Sequence, residues 1–111
     1  MSDETYHLPA RRVLRTVECQ FESMSFRLTL DLSEDGKVGE ITVSGFKHGT
    51  ALDLILCDAC TLISELLRRF VSPETLRELA LLHPNGDPAS IIGAILFEMC
   101  ETLHNGEGED A

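Results

Sequence analysis

The apolar residues of this chain change their period in mid-sequence, and that change dictates most of what it can fold into. Phe26, Leu28, Leu30 and Leu32 alternate with Arg27, Thr29 and Asp31, the pattern of a strand with one face in a core and the other in water. From Leu52 the spacing becomes helical. Leu52, Ile55, Leu56, Ala59, Cys60, Ile63, Leu66, Leu67 and Phe70 gather on one wide face when wound at about 3.6 residues per turn. That whole face is expected to lie on the sheet.

Turn chemistry fills in the rest. Ser33-Glu34-Asp35-Gly36 offers an aspartate that bonds its own backbone and a glycine that accepts positive φ, so Val38 to Ser44 should fold back on the preceding strand. Ile41 and Val43 then face inward, and Glu40, Thr42 and Ser44 outward. Upstream, Val13, Val17, Cys19 and Phe21 alternate as a first strand with Arg15 as a polar exception, and Glu22 to Ser25 supplies its turn. Ser72-Pro73 gives an N-cap and a proline at the first helical position, opening a short helix through Leu76, Leu79 and Ala80 that Pro84-Asn85-Gly86 breaks. Asp87-Pro88 repeats the start signal for a third helix carrying Ile91, Ile92, Ile95, Leu96, Met99 and Leu103, with a stop near His104-Asn105-Gly106.

The order βββααα predicts a two-layer α+β domain, a three-stranded antiparallel sheet with three helices packed on one face. Residues 10–103 form this single domain. Residues 1–9, which lack periodicity and end at Pro9, are expected as a flexible arm, and residues 104–111 as a disordered acidic tail.

Charge excludes some functions. A formal charge of -10, with five Phe, one Tyr and no Trp, opposes general nucleic-acid binding, which rests on counterion release and stacking platforms. Asp53, Asp58, Glu65, Arg68 and Arg69 interrupt the longest apolar stretch, so no membrane span is expected and the chain reads as cytoplasmic. Arg11, Arg12 and Arg15 nevertheless make a local basic cluster beside the first strand, able to join an anion site or to pair with Glu18 and Asp31 on the sheet surface.

Three groups of residues bear on chemistry. Lys47-His48-Gly49-Thr50 stands at a strand-to-helix junction, where outward N–H groups, the positive helix end and Lys47 suit a phosphate or carboxylate; the plainer reading is a bend at Gly49 and a cap at Thr50. Cys57-Asp58-Ala59-Cys60 has the CxxC spacing of redox and zinc sites, but it sits inside the long helix, away from the dipole that would acidify a thiol. Zinc would need two more ligands, and Cys19, Cys100, His48, His83 and His104 are scattered singles. Asp53, Asp58 and Glu65 form no convergent acid–base pair, and no nucleophile elbow is present.

Several pieces, taken in order, resemble a segment near the C-terminus of adenosylcobalamin-dependent (class II) ribonucleotide reductases, the TSCPD-type accessory domain. They are Leu8-Pro9 with Arg11-Arg12, Glu34-Asp35-Gly36-Lys37 with Gly39-Glu40, Lys47 with Gly49-Thr50, and Ala89-Ser90-Ile91 at the last helix, over about residues 8–103. Leu82-His83-Pro84-Asn85-Gly86 departs from the Arg-Phe-Glu-Pro-like stretch and longer loop of the family.

The family's catalytic barrel, radical and reducing cysteines and cobalamin site do not fit into 111 residues, and its own redox CxxC lies in a tail after this domain, not at Cys57 and Cys60. The resemblance therefore implies an accessory domain standing alone, with no catalytic activity of its own and no cobalamin. Its expected partners are another copy of itself or a reductase-type enzyme subunit. A nucleotide or similar anion at Lys47, His48, Gly49, Thr50, Arg11 and Arg12 is the alternative.

Overall fold

The computed structural model describes residues 12–110. Its order is β1 (Val13–Phe21), β2 (Met24–Leu32), β3 (Val38–Ser44), α1 (Ala51–Arg68), α2 (Pro73–Glu78) and α3 (Ile91–Asp110). The strands form an antiparallel meander in the order β1-β2-β3, and the helices cover one face, as the change of period predicts. Arg11 and the arm over residues 1–9 lie outside the described residues.

The two hairpins set the register. Phe21 pairs with Met24 across a two-residue turn in which Glu22 takes φ 56, so β2 begins two residues before Phe26. At the second turn Gly36 adopts φ 85 and its N–H donates to the Ser33 carbonyl at 2.9 Å, a conformation that an L side chain would strain. A bulge follows: Asp31 pairs with Glu40 but Leu32 with Val38, leaving Gly39 over.

Alternation then decides burial. Phe26, Leu28, Leu30 and Leu32 are all buried, with Cys19 on one side and Val38 and Ile41 on the other. The outer face is wet and polar. Thr16 and Thr29 share a hydrogen bond across β1 and β2 at 3.0 Å, Gln20 donates to Ser25 at 3.2 Å, and Arg27 pairs with Glu18 at 3.2 Å.

Each edge strand is guarded. On β1, Arg15 occupies an inward-facing position opposite Leu30, a charge that discourages strand addition. On β3, the Ile41 N–H donates to Ser64 Oγ at 2.9 Å, and the same hydroxyl donates back to the Ile41 carbonyl at 3.3 Å. Arg68 donates to the Gly39 carbonyl at 3.3 Å. Helix α1 thus lies along β3 and satisfies edge groups that would otherwise seek another strand.

Three expectations about the helices need correction. Leu56, Cys60, Ile63 and Leu67 are buried beneath α1, but Ile55, Leu66 and Phe70 are exposed, because α1 sits over the edge strand while α3 packs on β1, β2 and α2 rather than along α1. Helix α3 starts at Ile91 and not at Asp87-Pro88. Ser90 caps it, its hydroxyl accepting from the Gly93 N–H at 3.2 Å, while Asp87 accepts the His83 N–H at 2.8 Å and Pro88 bridges back to Leu82. At its other end α3 runs to Asp110, through the expected Asn105-Gly106 stop and most of the expected tail. A glycine costs about 1 kcal/mol inside a helix but keeps its N–H, so the stop signal there is a preference and not a barrier.

Candidate interaction surface

At the start of α1 the backbone builds the turn that the sequence predicts. Gly49 adopts φ 80, and Thr50 caps the helix by accepting the Asp53 N–H at 3.3 Å while donating its hydroxyl to the Lys47 carbonyl at 2.8 Å. The seat for an anion is occupied by the chain itself. The Asp53 carboxylate accepts the Gly49 N–H at 2.9 Å, with His48 Nδ1 3.9 Å away. An external anion reaches this helix end only by displacing Asp53.

Arg12 is not brought to that place. It binds Asp31 at 2.7 Å, beside the end of β2 that precedes the second hairpin, whereas Lys47 follows Ser44, which pairs with Arg27 near the other end. The five steps from Arg27 to Leu32 separate the two by about 17 Å along the strand. Arg12 with Asp31 is the surface pairing anticipated from sequence. Glu18, by contrast, is held by Arg27.

The CxxC pair is split by the helix. Cys57 is exposed, its thiol 4.0 Å from an Asp53 carboxylate oxygen, and Cys60 is buried, where desolvation pushes its thiol up to about 11. A buried thiol so disfavoured as thiolate is a small apolar packing group at neutral pH. Among the described residues, no three His, Cys, Asp or Glu side chains come close enough together to hold a metal ion. No helix among the described residues is long and apolar enough to cross a membrane.

A cleft of about 470 Å³ opens between the end of β1 and α3, lined among others by Cys19, Phe21, His83, Phe97, Glu98 and Glu101. Burial, with a smaller contribution from Glu101, raises the Glu98 carboxyl above its usual range. Burial and then Glu98 push the Cys19 thiol up to about 11. This cleft is acidic, and its thiol is not activated.

One exposed apolar row is on α1. Ile55, Leu62 and Leu66 are 55%, 65% and 40% exposed. Nine and two residues along the helix from Ile55 and Leu62, Ser64 faces the β3 edge; at 100° per residue it stands opposite Ile55, so the exposed row runs along the flank turned away from that edge. Phe70 follows, 80% exposed, with φ 70. The Val71 N–H donates to the Leu66 carbonyl at 3.0 Å and the Phe70 N–H to the Leu67 carbonyl at 2.9 Å, which places Phe70 at the left-handed position of a Schellman cap, ordinarily a glycine.

The periodicity assigns Ile55, Leu66 and Phe70 to the core face and passes over Leu62, the member of the row between them. The row's exposure was readable only from the number of apolar positions, more than one sheet face can cover. No protein-family model, curated protein or solved structure matches the chain.

Proposed function

We propose that the chain is a non-catalytic binding and assembly domain, akin to the C-terminal accessory region of class II ribonucleotide reductases and linked through such enzymes to deoxyribonucleotide metabolism. The observation that carries this reading is the second apolar row of α1. A helix that has already given Leu56, Cys60, Ile63 and Leu67 to its own core keeps Ile55, Leu62 and Leu66 in water at helical spacing, as a helix that docks on another protein does. The ordered motifs from Glu34 to Thr50 and at Ala89-Ser90-Ile91 support the reductase connection.

Sedimentation velocity of the chain, alone and mixed with an adenosylcobalamin-dependent reductase, tests the proposal. The expected result is association with the enzyme or with itself that Leu62→Glu abolishes. A chain that remains a monomer and ignores the reductase at every concentration overturns it.

A second reading, a small module that binds a nucleotide or similar anion at Lys47–Thr50, is favoured by one observation: this helix end already holds a carboxylate, that of Asp53. On this reading Asp53→Asn, which removes the competing charge, binds nucleotides more tightly than the unaltered chain. Titration calorimetry with a nucleotide panel decides it, and an absence of heat from both proteins ends the idea.

A further inference from the structure

The exposed row of α1 is complementary to itself in one orientation only. Ile55, Leu62 and Leu66 fall within about 40° of arc around the helix, and Asp58 and Arg69 both flank that arc on the side farther from the sheet. Asp58 has no ion-pair partner among the described residues, and Arg69 is paired only with Glu65 of its own helix, at 2.9 Å in solvent. When two copies of α1 are laid antiparallel, with a two-fold axis level with Ile63 and Ser64, Leu62 of each meets Leu66 of the other. In the same register Asp58 meets Arg69 and Ile55 meets Phe70. The first two pairs are level to within about 3 Å, given the helical rise per residue, and Phe70 lies just past the helix end that Ile55 approaches. A parallel two-fold instead carries the Asp58 and Arg69 flanks of the two copies to opposite sides of the seam, leaves those charges unmatched and sets like helix ends together.

From this self-complementarity we propose that the chain forms a two-fold dimer through α1, packed antiparallel on the α1 of a second copy. The inference rests on the reading of the α1 row as a docking surface and names its occupant. It also gives Phe70 a role. A large ring in a left-handed cap position, 80% exposed at the mouth of a cleft lined by Val38, Leu67, Val71 and Leu103, gains nothing from its own fold but has an apolar partner in Ile55 of the other copy. A two-fold interface of this kind is closed, so association stops at two.

The test is sedimentation velocity over a concentration series of the full chain. The expected result is twice the chain mass at high concentration and a single-chain mass for Leu62→Glu, with an unchanged far-ultraviolet circular dichroism spectrum. Asp58→Arg and Arg69→Glu, both at exposed positions that carry no core contact, should each weaken the dimer about tenfold, and together restore it to within about threefold of the unaltered chain. Failure of the combined exchange to recover association overturns the antiparallel register, even where Leu62→Glu fails to fold. A strictly monomeric chain overturns the dimer outright. If that monomer still binds a reductase through Leu62, the assembly reading stands and only the second copy is excluded.

Discussion

The two flanks of α1 have the same helical geometry and opposite fates. Along one, Ser64 and Arg68 reach the backbone of β3 and close its edge with hydrogen bonds. Along the other, Ile55, Leu62 and Leu66 meet water. The difference teaches that apolar character alone does not assign a side of a helix to the core. What assigns it is where the helix sits on the sheet, and α1 is held over the outermost strand by its buried row of Leu56, Cys60, Ile63 and Leu67 together with the polar contacts of Ser64 and Arg68. Its second apolar row is left over from that placement.

The sharpest way to break this contrast is to cut the same side chain on the two sides. Leu67→Ala, in the buried row, should cost about 2–5 kcal/mol of unfolding free energy, whereas Leu62→Ala should change the stability of the monomer by no more than about 0.5 kcal/mol. Urea unfolding at low concentration measures both, and equal losses would mean that the exposed row is part of the core after all. Ser64→Ala tests the polar flank. It strips the Ile41 N–H and carbonyl of their shared partner in a buried place, and should cost about 1–3 kcal/mol. A neutral result would return the positioning of α1 to its apolar contacts alone.

Phe70→Gly carries a smaller effect than either buried change, and the opposite sign. Relieving the left-handed conformation should stabilise the monomer by about 1 kcal/mol, while weakening any association that uses the ring. Thermal unfolding at low concentration and sedimentation at high concentration separate the two. Stabilisation without loss of association would remove Phe70 from the docking surface.

The sequence announced the strands almost completely because each had a local signature. Phe26 to Leu32 alternates without a fault, and Gly36 sits where the turn needs positive φ. The caps at Thr50 and Ser72 were equally legible, since an N-cap bonds only two or three residues away. The start of α3 was misread from Asp87-Pro88 because the same two residues also make a tight hairpin with Leu82 and His83, a pairing decided by tertiary contact. Ser90, one of the residues on which the family resemblance rests, is the cap.

The candidate sites were less legible for the same reason. Lys47 to Thr50 showed an anion-binding backbone, but the signal that Asp53 would fill it lay in the capping-box spacing Thr50-x-x-Asp53, outside that motif. Arg12 and Lys47, thirty-five residues apart in sequence, gave no sign of lying at opposite ends of the sheet. The exposed row of α1 needed the position of α3, which no periodicity supplies.

The guarded strands have a consequence for crowded conditions. A ribbon with a charged residue set inward on one rim and a serine hydroxyl bonded to the backbone of the other offers a poor template on which to lay further ribbon. Copies of this chain that meet at high expression therefore find fibril growth through their folded strands disfavoured. The apolar row left exposed to them lies on a helix, where a two-fold contact would close on itself.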